Sequence, residues 1–145
     1  MFDAKRFFQV CVSGILAQNK KCKKNEYGIC CYRNNKGERC VVGMAIPQEK
    51  YVPEMDNEDA IKASGEDAEG SEPGIYAYQN PFVLSVLKEE FGSPLSQSDL
   101  DLMQEMQETH DEQDVESWPK SLRMIEEKFF GEESDLCGLK EKTNA

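Results

Sequence analysis

The sequence predicts an α+β domain: a small antiparallel β-hairpin or three-stranded sheet packed by about four helices. Three observations predict it. Two β-prone runs, Ile29 to Arg33 and Glu38 to Val42, flank Asn34-Asn35-Lys36-Gly37, and Asn and Gly tolerate the positive φ of a tight reversal. Several other segments repeat apolar residues at spacings of three and four, the period of a helix with one buried face. A chain of 145 residues, 39% of them hydrophobic, suits one domain with a usable core.

Gly37 in the left-handed position after a type I turn pairs Asn34 with Glu38. That register sets Tyr32 opposite Cys40 and Cys30 opposite Val42 on an apolar face. Ile29, Cys31, Arg33, Arg39 and Val41 fall on the other face. A two-stranded ribbon is not stable alone, so helices must cover it.

Asp3 caps a first helix to about Asn19, with Phe7, Phe8, Cys11 and Ile15 inward and Gly14 a mild weakness. After Pro47 the chain turns acidic. Residues 56–74 read as an acidic loop within the domain, with a helical turn or two between Met55 and Lys62, and Ile75 to Tyr78 reads as a third strand. Asn80-Pro81 opens a helix ending at Gly92. The next is capped by Ser96 or Ser98 and carries Leu100, Met103 and His110 on one face. The last begins near Ser117 and aligns Trp118, Leu122, Ile125 and Phe129, and Gly131 ends it. Residues 1–131 thus form a single domain, and 132–145 a polar C-terminal tail in which Leu136, Cys137 and Leu139 can dock.

Charge is lopsided. Residues 1–50 hold ten Lys/Arg against four Asp/Glu, a net of +6, and residues 51–145 hold seven against twenty-four, a net of −17. The total of −11 disfavours direct contact with nucleic acid or an anionic membrane. No apolar run reaches the roughly 20 residues of a membrane span. Lys5-Arg6 before an apolar run faintly suggests a secretory signal, which Asp3, Gln9 and Ser13 interrupt. The expected location is cytoplasmic, with the six cysteines as reduced thiols.

His110-Asp111 is the catalytic candidate. A metal phosphohydrolase of the His-Asp type needs several histidines, and this chain has one. A small hydrolase using His110 with a cysteine or carboxylates stays open. The plainer alternative is a helix-end His closing the core, its proton on a carbonyl or on Asp111. Cys22, Cys30, Cys31 and Cys40 lack the paired spacing of a zinc knuckle, so neither metal nor cofactor is expected. Lys20 to Lys24 with Arg33 and Arg39 form a basic patch that total charge sets against nucleic-acid binding.

The partner-binding candidate is acidic. Between Lys88 and Lys120 there is no Lys or Arg, and there are ten carboxylates. Asp101, Glu105, Glu108 and Glu112 keep helical spacing and line one face. Such a face suits a partner protein with a basic surface. A calcium loop is disfavoured, since residues 99–112 lack Gly and the alternating ligand pattern. Self-association is left open.

Cys30-Cys31-Tyr32-Arg33, then Gly37 to Tyr51 with its Gly-Glu-Arg-Cys-Val-Val-Gly-Met-Ala-Ile-Pro run, resembles a pattern in small uncharacterised phage and prophage proteins. So does Leu102 to Asp111, a helix ending in His-Asp, followed by a helix starting near Trp118. The resemblance covers about two-thirds of the chain, departs at the acidic insertion 56–74, and implies a shared fold; it carries no known activity and so imports no catalytic residues. Together these readings predict a non-enzymatic acidic protein that inhibits or modulates a host nucleic-acid-handling or defence protein in the host cytoplasm.

Overall fold

The structure, a computed structural model, describes residues 1–23, 32–56 and 81–143. They contain five α-helices: α1 (Ala4–Gln18), α2 (Pro81–Phe91), α3 (Gln97–Glu112), α4 (Trp118–Phe130) and α5 (Leu139–Thr143). Short 3-10 turns lie at Val42–Ala45, Gln48–Lys50, Pro53–Asp56 and Val115–Ser117. The predicted α+β class is overturned: among the described residues there is no strand, and the protein is mostly helical.

The tight turn does form. Gly37 sits at φ 81°, its N–H donates to Asn34 O at 3.1 Å, and Asn34 N–H donates to Glu38 O at 3.1 Å. The strands do not follow. Arg33 and Arg39 make one isolated antiparallel bridge, and Cys40 N–H reaches Tyr32 O at 3.3 Å. Met44 N–H then donates to Cys40 O at 3.0 Å and Val41 O at 3.1 Å, winding the chain into a 3-10 turn.

Two physical reasons stop the ladder. Side chains take the amides that a longer ladder or a neighbouring strand would use. Asp56 accepts from Tyr32 N–H at 2.8 Å and Arg33 N–H at 3.3 Å, and Gln18 accepts from Arg39 N–H at 2.9 Å. Burial also favours the coiled path, because it puts Val41, Val42, Ala45 and Ile46 all in the core, whereas a strand would turn alternate residues outward. The expected Cys30–Val42 pairing and the strand at Ile75 to Tyr78 involve residues outside the described ones, as does the loop beyond Asp56.

Gly43 marks where the turn crosses Tyr32. A Cβ built there would stand 2.3 Å from the Tyr32 carbonyl oxygen, a backbone atom with no room to yield. Gly43→Ala is expected to destabilise the protein by about 1–3 kcal/mol, as overpacking does, measured as a lower urea midpoint. An unchanged midpoint would show that the turn is not seated this tightly.

The helices follow their sequence signals. Asp3 Oδ1 accepts from Arg6 N–H at 3.1 Å to start α1, and Asn19, left-handed at φ 54°, ends it. Ser96 and Asp99 exchange the reciprocal bonds of a capping box at α3. Gly131 at φ 96° closes α4. Gly14 admits Met44, whose Sδ would lie 2.7 Å from an added Cβ, so this glycine brings α1 and the 3-10 turn together.

One buried cluster unites these elements. Phe7, Phe8, Cys11 and Ile15 of α1 join Tyr32, Cys40 and Val42, then Leu102, Met103 and Met106 of α3, and Trp118, Leu122 and Ile125 of α4. Phe2, Phe7 and Phe91 form an aromatic trio with ring centroids 5.4 to 5.8 Å apart. There Asp3 N–H donates to Phe91 O at 2.7 Å and Arg6 donates to Glu90 O at 2.9 Å, tying α1 to the end of α2.

The segment after Gly131, predicted as a polar tail, packs back as far as it is described. Leu139 is fully buried and Leu136 and Cys137 lie against the core. Gln9 donates to Leu136 O at 3.0 Å. A buried carboxylate holds the segment: Glu126 accepts from Ser134 Oγ at 2.6 Å, Leu136 N–H at 2.7 Å and Arg123 at 3.2 Å.

Candidate functional site

Helix α3 carries both candidate sites on opposite faces. Its inner face buries Leu102, Met103, Met106, Thr109 and His110. Its outer face exposes Asp101, Glu108 and Glu112, while Glu105 is half-buried.

His110 is fully buried and both its nitrogens are engaged. The Cys22 backbone N–H donates to Nε2 at 3.0 Å. Nε2 is therefore the acceptor, and the ring proton sits on Nδ1, 2.7 Å from Asp111 Oδ1. The ring stacks on Trp118, centroids 5.5 Å apart and planes inclined by 25°, and Trp118 Nε1 donates to Thr109 O at 3.1 Å. Asp111 Oδ1 also accepts from Gln107 Nε2 at 3.1 Å, and Gln107 Oε1 accepts from Val42 N–H at 3.2 Å. The network joins α3, the segment at Cys22 and the 3-10 turn through one ring and one amide.

General-base chemistry needs a nitrogen lone pair facing a substrate or nucleophile proton. Here the lone pair on Nε2 faces a backbone amide inside the core. Two of the buried thiols, Cys40 and Cys11, lack reactive character as well. Burial pushes the Cys40 thiol well above its ordinary range; the Gly43 N–H on its sulfur, 3.3 Å away, opposes this, and the charges of Asp111 and Asp56 add to it. Burial, and then Cys137, raise the Cys11 thiol in the same way. A thiol held protonated is a poor nucleophile. Among the described residues, no group of three or more His, Cys, Asp or Glu is placed to hold a metal ion; Cys30 and Cys31 lie outside them.

The four carboxylates of the acidic face have different surroundings. Asp101 accepts from Gln97 at 2.9 Å and Glu108 from Gln104 at 2.8 Å, neutral donors that leave the charge in place. Glu105 instead pairs with Lys128 of α4 at 2.7 Å. At the end of the helix Lys21 Nζ lies 3.4 Å from the Asp111 carbonyl oxygen, so the basic segment borders the acidic face. Asp111, Asp114 and Glu116 are exposed and extend it past the helix end.

One charged grouping is hidden in the sequence. Arg123 and Glu126 show a helical i,i+3 spacing, but nothing in the pattern signals that both are buried. Arg33 and Arg39 are different: the register that pairs Asn34 with Glu38 also sets them opposite one another, and they form the isolated bridge.

The fold and these sites define a small, mostly helical protein with one acidic helix face and a buried histidine network. No protein-family model, curated protein or solved structure matches the chain, so its function is argued from its own chemistry. No helix among the described residues is long and apolar enough to cross a membrane.

Proposed function

We propose that this is a non-enzymatic interaction protein that docks the outer face of α3 on a basic surface of a partner protein. The phage-type resemblance of its hairpin and His-Asp motifs makes the partner a host nucleic-acid-handling or defence protein, which the chain inhibits or modulates. The observation that supports the reading is the exposed row of Asp101, Glu108 and Glu112, in which Asp101 and Glu108 accept from the neutral amides of Gln97 and Gln104. Their field extends over Asp111, Asp114 and Glu116, and complementary charge steers association with a basic partner. Glu105 acts as the anchor to α4 through Lys128 rather than as a contact residue. The hydrolase alternative loses its base, because His110 is fully buried with both nitrogens engaged.

The test is a triple reversal, Asp101→Lys with Glu108→Lys and Glu112→Lys. Capture of the partner from a bacterial lysate, identified by mass spectrometry, should be lost in the triple variant. For the wild type, capture should fall steeply with salt, since exposed charges are screened over about 8 Å at physiological ionic strength. Stability should change by no more than about 0.5 kcal/mol per site at exposed positions. Undiminished capture by the triple variant, with unchanged salt dependence, sinks the proposal.

A further inference from the structure

We propose that Arg33 and Arg39 form a clamp for a single phosphate group, of the kind borne by inorganic phosphate or a small phosphomonoester. The two residues oppose one another across the isolated antiparallel bridge, so both side chains leave the same face of the ribbon. Each guanidinium is held. That of Arg33 lies over the Tyr51 ring, 4.7 Å from its centroid. Arg39 donates one Nη1 hydrogen bond, at 3.4 Å, to Ile46 O. These contacts restrain the two groups and use one of their N–H donors.

The chain has 28 carboxylate residues, yet none among the described residues forms an ion pair with either arginine. The ion pairs found there use Lys50, His110, Arg123 and Lys128. Asp56 is the neighbouring carboxylate, and its oxygens serve the Tyr32 and Arg33 amides and the Tyr51 hydroxyl at 2.8, 3.3 and 2.5 Å. Asp56 thus sets the backbone and the ring under Arg33 in place while its charge tempers the site.

Like charges directly opposed across a bridge repel. Burial lowers the Arg39 pKa, and the charge of Arg33 adds to this in second place. A tetrahedral oxyanion between the two forks relieves the repulsion, and guanidinium forks match phosphate geometry with two parallel bonds each. A single phosphate fits better than a polynucleotide, because the net charge of −11 repels a polyanion. The clamp does not depend on the acidic face of α3.

The test follows the arginine Nε–H resonances of the full chain by NMR. Inorganic phosphate is titrated at constant ionic strength against chloride. The wild type should show a saturable shift at Arg33 and Arg39 with phosphate and none with chloride. Arg33→Gln and Arg39→Gln should each weaken the response about tenfold, the worth of a charge-assisted bond, and the double variant should lose it. Arg33→Lys, which keeps the charge without the fork, should fall between. No saturable shift in the wild type, an equal response to chloride, or a response surviving in the double variant would overturn the clamp. Binding of a single-stranded oligonucleotide without any response to inorganic phosphate would overturn the small-ligand assignment.

Discussion

Glu126→Ala is expected to cost about 3–5 kcal/mol, the loss seen when one partner of a buried ion pair is removed. Its carboxylate is fully buried, and the Arg123 side chain beside it is only 8% exposed. The alanine would leave the Arg123 charge, the Ser134 hydroxyl and the Leu136 amide short of an acceptor at once. Arg123 would keep its bonds to the Glu132 and Ser134 carbonyls and to Glu127, but these hold only the near end of the segment. The docking of Leu136 and Leu139 should loosen, and amide exchange from 132 onward should quicken. Glu127→Ala is the control: its side chain is 45% exposed, so its cost should stay near 0.5 kcal/mol. The paired change Arg123→Met with Glu126→Leu should recover only the share that comes from the unpaired Arg123 charge, since a hydrophobic pair can replace a buried salt bridge but leaves the Ser134 hydroxyl and the Leu136 amide without their acceptor. Urea midpoints decide the matter; equal costs for Glu126→Ala and Glu127→Ala would mean that the carboxylate does not hold the segment.

The helices were legible because their signals are local. Asp3, Ser96 and Gly131 act within one turn of themselves, and the stripe at Trp118, Leu122 and Ile125 needs only a period. The 34–38 turn was legible for the same reason. The sheet was not, because β pairing depends on partners far away in sequence. Gln18 and Asp56 occupy the amides, and Gly43 lets the chain coil over Tyr32; none of this is written in the β propensity of Cys40-Val41-Val42. The docking of 132–143 was legible in part, since Leu136, Cys137 and Leu139 stand out as residues able to dock, but the buried carboxylate that receives the segment was not. Composition marks the segment as polar, but a buried Arg123–Glu126 pair and Leu139 hold it. In the candidate site, the helical spacing of the four carboxylates placed them together on α3, while the Lys128 partner that sets Glu105 apart comes from another helix.

His110→Ala should destabilise the protein by at least about 3 kcal/mol, through a cavity beside Trp118 and the loss of buried hydrogen bonds. The deletion leaves the Cys22 N–H without its acceptor and removes the ring stacked on the indole. Trp118 is the sole tryptophan, so its fluorescence reports on this site alone. Its emission in the folded variant should shift to longer wavelength as water reaches the cavity. His110→Gln separates the two contributions: its side-chain oxygen can occupy the place of Nε2 and accept from Cys22, but it offers no ring to Trp118. It should therefore recover part of the stability and little of the emission. A general base would behave otherwise, losing activity in both variants with stability untouched. Wild-type stability and emission in His110→Ala would show that the ring does not hold the core together, and would return His110 to consideration as a reacting group.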